Sequence, residues 1–359
     1  MNISALTDTN HIQAAKAFGY SKSVQIKTLG NGLINKTYLL QEQRRDAIVL
    51  QQLNTNVFQH PEDMQHNYLL IQEHLKNKNE FFFIPSLIST KKGEYLWKDS
   101  EGGIWRAMEF VPDTFSPELV GNTEDANAVA LCFATFTASL IKLNASELKV
   151  IISDFHNLTF RYGQFTDAIQ KDAVLRLNKA QWMINELQKR KVLVGVYESF
   201  SHETLFPTRI MHHDCKISNI LFDCETREVI CPVDLDTVMP GKFYSDIGDM
   251  IRTMCCSVEE NSIDWDAIAI SDDIYKAIIR GYLKGMGNHL TNTEKNHFHY
   301  AGLIMIYMQA LRFLTDYLRG DVYYRVSYQD HNFNRAKNQL FLLQKLEIYL
   351  GKEYGLKSH

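Results

Sequence analysis

The chain has 359 residues, more than one hydrophobic core usually encloses, so two lobes with separate apolar interiors are expected. A hydrophobic content of 45% with 22% charged residues excludes a disordered chain. A formal charge of −4 without massed lysine or arginine excludes a nucleic-acid partner, and no stretch offers the roughly 18 apolar residues needed to span a bilayer, so no membrane association is expected either. The six cysteines form no CxxC pair and no zinc-ligand spacing with histidine. They read as the reduced thiols of a cytoplasmic protein, and "MNISALTDTNHIQAAKAFGY" lacks the basic start and apolar core of a secretion signal.

After a short amphipathic N-terminal helix, "SVQIKTLG", "NKTYLL" and "AIVLQQL" read as strands, with Asn31-Gly32 as the turn signal between the first two. "PEDMQHNYLLIQEHLKN" then sets Met64, Tyr68, Ile71 and Leu75 at helical spacing behind Pro61, a residue suited to a first helical turn. "IPSLIST", "EYLWKD" and "GIWRAMEFV" follow as further strand-like runs, separated by Lys92-Gly93 and Gly102-Gly103. From Pro112 onward the texture is helical, with patterns over 123–145, 162–190, 266–284 and 292–318 and a last helix ending near Leu350. Thr291 and Glu294 make a capping box. Among these helices "NILFD" and "VICPVDL" flank the polar "CETRE" as a small hairpin. The expected fold class is α+β: a small antiparallel β lobe with one helix over 1–111, a hinge near 109–113, and a larger, mainly helical C-terminal lobe over 112–359, with the site in the cleft.

The segment "MHHDCKISNILFD" concentrates the polar groups that carry chemistry. His212, Asp214, Lys216 and Asn219 stand in the H-x-D-x-x-x-x-N spacing of a kinase catalytic loop, and Asp234 follows fifteen residues later in "CPVDLDTV". Phosphoryl transfer needs a carboxylate to orient the attacking hydroxyl and take its proton, and hard oxygen ligands for the magnesium that bridges the phosphates. Asp214 fits the first role, Asn219 and Asp234 the second, and Lys216 is within reach of the transferring phosphate. His212 reads as a packed loop support, since the neighbouring aspartate already fills the role of base. Asp246 and Asp249 in "SDIGDMIR" read as structural, with Asp246 bonding the loop backbone.

The order of "LGNGLINKTYLL", "HHDCKISNILFD" and "VDLDTVMPGKFYSDIGDMIR" resembles the aminoglycoside phosphotransferase and choline kinase superfamily. More closely, "LQQLNTNVF", "DLDTVMPG", "DIGDMIRT" and "RFLTDYLRGDVYYRV" resemble the N-acetylhexosamine 1-kinases, over about residues 20 to 350. The resemblance implies a bilobal protein-kinase-like fold that binds ATP and Mg2+. Read alone, "GNG" is an ordinary hairpin turn; the resemblance makes it an ATP-covering loop, with Gly30 and Gly32 opening backbone N–H groups to phosphates. Asn35 then occupies the place of the third glycine of protein kinases. Gln51 stands where most kinases carry a lysine that pairs with phosphates, and brings no charge; no acidic partner is assigned on the following helix, where Glu73 can equally be a solvated residue. At the hinge "AMEFVPD", the resemblance implies that the Glu109 carbonyl and the Val111 N–H meet the adenine edge. For the substrate it implies Arg312 and Tyr323. Asp236, two residues past Asp234, would point to the same side of an extended segment, towards metal or sugar.

The expected reaction is ATP-dependent phosphorylation of the anomeric hydroxyl of N-acetylglucosamine or N-acetylgalactosamine, a small-molecule sugar substrate. The alternatives are a kinase for another small alcohol, such as choline, homoserine or an aminoglycoside, and a non-catalytic nucleotide-binding regulator, the latter motivated by Gln51.

Overall fold

The computed structural model describes residues 9–21, 23–30, 34–76 and 82–356, so the Asn31-Gly32 turn and the Gly32 phosphate contact expected above lie outside the described residues. The chain folds into a β-rich N-terminal lobe and a larger, mainly helical C-terminal lobe, the protein-kinase-like arrangement. The first lobe opens with α1 (Thr9–Ala17), followed by β1 (Gln25–Thr28), β2 (Lys36–Gln41), β3 (Ile48–Leu53), α2 (Pro61–Lys76), β4 (Leu87–Ile88), β5 (Trp97–Lys98) and β6 (Ile104–Glu109). All the strands pair antiparallel, in the order β1-β2-β3-β6-β4 with β5 also on β6. Because strand side chains alternate, Leu50 on β3 and Trp105 and Ala107 on β6 pack on one face with Ala14, Ala15 and Phe18. Gln51 and Arg106, directly opposed in the β3–β6 register, share the other face.

Helix α2 joins the two lobes. Its Tyr68, Ile71 and Leu75 pack at once against Leu87 of the first lobe and against Phe136, Ile210, Leu235 and Val238 of the second. Asn67 fastens it further, donating to the carbonyls of Lys149 and Val238, both at 2.9 Å. Glu73 is exposed, as a solvated residue would be.

The C-terminal lobe runs through β7 (Thr114–Phe115), α3 (Thr123–Ser139), α4 (Leu158–Lys171), α5 (Leu177–Lys189), α6 (Val192–Ser199), β8 (Arg209–Met211), β9 (Ile220–Asp223), β10 (Val229–Pro232) and β11 (Met239–Gly241). It ends with α7 (Tyr244–Met254), α8 (Asp272–Met286), α9 (Asn292–Asn296), α10 (Phe298–Leu318) and α11 (His331–Tyr354). Helix α10 carries Leu303, Met305, Tyr307 and Leu311 into the main core, and α3 lies close along α8. That approach needs glycine: a Cβ on Gly281 would collide with the Asn127 carbonyl, and one on Gly285 with that of Leu131. The expected hairpin is β9–β10, and Thr291 with Glu294 forms the reciprocal capping box at α9. No helix of the described residues is long and apolar enough to cross a membrane.

The boundaries differ in places. The pattern over 162–190 is two helices, α4 and α5, broken where Asp172 (φ 37°) and Leu175 (φ 55°) adopt left-handed backbone. The pattern over 123–145 ends as an α-helix at Ser139, and the last helix continues past Leu350 to Tyr354, where Gly355 supplies the left-handed C-cap. The strands β7, β8 and β11 are two or three residues long and carry no alternation to read. They matter all the same, because β8 and β11 pair and hold the two ends of the segment that contains the site.

Candidate active site

The segment that leaves β8 makes a tight loop before β9, with His213 at φ 66°. Its shape is fixed from below by α7. Asp246 accepts from the backbone N–H of His212 at 3.0 Å and of His213 at 2.8 Å, and Asp249 accepts from that of Cys215 at 2.8 Å. Three backbone N–H groups of the loop are thus satisfied by two carboxylates, which accounts for both acids being buried. Asp249 is neutralised in turn by Arg252, whose Nε donates to it at 3.0 Å. Thr237 closes the loop from the other side by donating to the His212 carbonyl at 2.7 Å.

His212 and His213 are both buried. The His212 ring stands edge-on to Phe133, and its Nε2 lies 3.2 Å from the Val233 carbonyl. The His213 ring shares the Ser245 hydroxyl with His156, and Gly241 leaves room for it, since a Cβ there would strike the ring. Burial pushes both imidazoles down to about 4. An unfolded histidine takes its proton near pH 6.5. Between these values the unfolded state therefore binds more protons, so the stabilisation from two neutral rings is complete above about pH 6.5 and is lost as pH falls towards 4. In a histidine NMR titration of the folded protein both rings should keep neutral-imidazole shifts down to about pH 5; a midpoint near the free value for either would contradict this packing.

Asp214 stands at the mouth of the loop with its side chain 28% exposed. Its Oδ2 receives the Asn219 amide at 2.8 Å and the Lys216 ammonium at 3.0 Å. Enclosure by protein tends to raise this carboxyl, but the Lys216 charge and the hydrogen bonds from Lys216 and Asn219 outweigh it and hold it below the usual carboxylate range. Lys216 is raised by the same pairing. Asn219 also donates to the Asp214 carbonyl at 2.9 Å and accepts from Val233 N–H at 2.8 Å, which fastens it to the strand leading to Asp234. Asp234, at φ 60°, opens to solvent in the cleft. Desolvation on its protein side, then the charges of Asp236 and Asp214, push its carboxyl well above the usual range against Lys216 and Arg106. The sequence-predicted set Asp214, Lys216, Asn219 and Asp234 is thus brought together.

Asp236 corrects the expectation of an extended segment. The left-handed turn at Asp234 and a 3-10 turn over Leu235–Thr237 carry it away from a strand alternation, and its side chain is buried. Both of its oxygens belong to the N-terminal lobe: Oδ2 receives the Asn35 amide at 2.7 Å, and Oδ1 faces Arg106 Nη2 at 2.5 Å. Asn35 uses its own carbonyl to accept from Asn54 N–H at 2.9 Å, so its amide is engaged in joining the lobes. Gln51 turns its carbonyl to Arg106, which donates to it from Nε at 2.9 Å and from Nη2 at 2.7 Å, and spends its amide on Thr37 at 3.0 Å. Gly30 adopts φ 68° with open space where a Cβ would stand. At the hinge, Glu109 N–H donates to Ser86 at 2.8 Å, and the Val111 carbonyl accepts from Thr114 at 2.8 Å.

Arg312 and Tyr323 fall in a second group behind the loop. The Arg312 guanidinium lies over the rings of Phe155 at 5.4 Å and Tyr324 at 5.5 Å, and Tyr323, largely exposed, stands edge-on to Tyr324. Phe155 stacks on His156 at 4.4 Å, and His156 touches His213, the residue before Asp214. Arg161 belongs to the same group; desolvation, then the Arg312 charge, lower its pKa to about 10. Phe155, His156, Arg161 and Arg106 were not singled out in sequence. For Arg106 a signal was present, a charged residue between Trp105 and Ala107 in an apolar strand; the others had none.

The family model APH, described as Phosphotransferase enzyme family, matches residues 25–286 of the chain. Among solved structures the chain is similar to an aminoglycoside phosphotransferase from Alicyclobacillus acidocaldarius, at 12% identity over 93% of this chain and 94% of that one, with a TM-score of 0.63. A microcompartment-associated aminopropanol kinase matches at 13% identity over 98% and 99% of the two chains, also with a TM-score of 0.63. The choline kinase of Cryptosporidium parvum matches at 14% identity over 96% and 97%, with a TM-score of 0.56. At these identities the likeness is one of fold.

Proposed function

The chain belongs to the phosphotransferase enzyme family, and from that premise we propose that it transfers the γ-phosphoryl group of ATP to a hydroxyl of a small molecule. The observation that carries this reading is the Asp214 carboxylate: half-open to the cleft, held by Lys216 and Asn219 through one oxygen, and kept ionised near neutral pH. A carboxylate so placed can orient an acceptor hydroxyl and take its proton in the transition state. In this reading the Gly30 backbone lies over the nucleotide, and the Glu109 carbonyl and Val111 N–H meet its adenine. Lys216 serves the transferring phosphate.

Among the described residues no three His, Cys, Asp or Glu side chains form a metal-holding set. Magnesium does not require one, because it commonly takes one or two carboxylates and completes its shell with phosphate oxygens and water. The residues present fit that habit. Asp234 has an open carboxylate crowded by two others, and Asn219 has an amide carbonyl left over once its nitrogen is bound to Asp214. When bound, magnesium neutralises phosphate charge as it develops. Asp234→Asn should therefore weaken magnesium binding strongly, by about 10-fold or more, whereas Asn219→Ala removes a neutral ligand and should weaken magnesium binding less, though it also releases Asp214. Titration of turnover and of nucleotide binding with Mg2+ checks both; an unchanged magnesium dependence in the two variants would remove them as ligands.

For the acceptor we propose the anomeric hydroxyl of N-acetylglucosamine or N-acetylgalactosamine, with Arg312 and Tyr323 serving the sugar side. The family-like segments around Asp236, Asp246 and Arg312 support it. A second reading, an amino-alcohol acceptor, takes its support from the aminopropanol and choline kinases that share the fold. Comparative kcat/KM over N-acetylhexosamines, choline, aminopropanol, homoserine and aminoglycosides separates the readings. Preference for either N-acetylhexosamine supports the proposal; preference for a cationic alcohol sinks it and leaves the phosphotransferase standing.

A further inference from the structure

The lysine that kinases of this architecture place on the third strand is a glutamine here, and the charge has to come from elsewhere or be dispensed with. The β3–β6 register sets Arg106 directly beside Gln51. Its guanidinium is 1% exposed and is gripped on two sides, by the Gln51 carbonyl at 2.9 and 2.7 Å and by Asp236 at 2.5 Å. The third nitrogen, Nη1, is buried with no hydrogen-bond partner. A buried arginine with an unused donor is costly unless something anionic is to meet it.

We infer that Arg106 supplies, from β6, the positive charge that β3 lacks at Gln51, and that it serves the phosphates of the bound nucleotide while Asp236 and Gln51 hold it in place. The pairing of a phosphate-directed cation with an acid is then kept, but both members are displaced: the cation to the neighbouring strand, the acid to the turn after Asp234. This accounts for the two otherwise unexplained features, a neutral Gln51 that spends its carbonyl on an arginine and a charged residue inside an apolar strand. An arginine suits the place because its planar fork can bind the glutamine and the carboxylate and retain further donors. The inference rests on the nucleotide-binding reading above.

The alternative is that the Arg106–Asp236 pair only ties the lobes together. Binding equilibria separate the two. Calorimetric affinities for adenosine and for MgATP would be measured on the unaltered protein, on Arg106→Gln and Arg106→Lys, and on the double variant Gln51→Lys/Arg106→Gln. The inference expects Arg106→Gln to weaken MgATP by about 10-fold or more while adenosine changes less than about twofold, the loss of one charged hydrogen-bonding partner. Arg106→Lys should retain most of the difference, and the double variant should regain it with the cation on the other strand. A folded Arg106→Gln protein with an unchanged ratio of the two affinities overturns the inference. Should that variant not fold, the double variant decides: adenosine binding without the MgATP gain overturns it, and recovery of the gain supports it. If the unaltered protein binds neither nucleotide nor nucleoside, the kinase reading itself fails, an outcome distinct from all of these.

Discussion

Asp214→Asn is expected to lower kcat by about 10² to 10⁴ while leaving MgATP affinity within about twofold. The substitution is nearly isosteric, and an asparagine carbonyl can still accept from Lys216 and Asn219, so the loop keeps its shape. What is lost is the group that takes the acceptor's proton as the bond to phosphorus forms. Because that interaction belongs to the transition state, kcat and kcat/KM should fall together, with KM for either substrate little changed. Steady-state kinetics with calorimetric nucleotide binding checks this. A variant that keeps most of its kcat would remove Asp214 from the mechanism.

Glu294→Ala should destabilise the fold by about 3–5 kcal/mol, the penalty of leaving one member of a buried ion pair alone. Glu294 is fully buried and meets Arg209 through two bonds of 2.5 and 2.9 Å. It also closes the α9 capping box by accepting from Thr291 N–H at 2.8 Å. Arg209 is the first residue of β8, which leads directly into the loop that carries the site, so the pair connects the far end of the helical lobe to the catalytic segment. The unfolding midpoint should drop by about 4–7 degrees. Replacing both residues with apolar ones of similar size should recover much of the loss, because no lone charge is then left buried. A shift below about 1 kcal/mol for Glu294→Ala would mean that water reaches Arg209.

The parts of the site legible in sequence are those fixed by local spacing. His212, Asp214 and Asn219 sit on one loop, so their separation along the chain is their geometry, and the capping box at Thr291 is equally local. The fold class was legible for a related reason, since the change from alternating to helical texture follows the burial of each lobe. Contacts between the lobes were not. Asn35, Arg106 and Asp236 meet only through the tertiary fold, and the left-handed turn at Asp234 that aims Asp236 at them has no glycine to mark it. The break between α4 and α5 was hidden for the same reason, because Asp172 and Leu175 adopt left-handed backbone without glycine or proline nearby. At the end of the chain Gly355 did mark the C-cap of α11, but apolar periodicity stops at Leu350 and the last turn is polar.

The most direct measurement of the central claim is a 31P NMR spectrum of the reaction mixture containing the protein, MgATP and N-acetylglucosamine or N-acetylgalactosamine. The account predicts that the γ-phosphate signal of ATP is replaced by one phosphomonoester for each ADP formed, with its phosphorus coupled to the anomeric proton and to C1. A protein that binds MgATP yet forms neither ADP nor a phosphomonoester with these sugars or with any other small alcohol would contradict it.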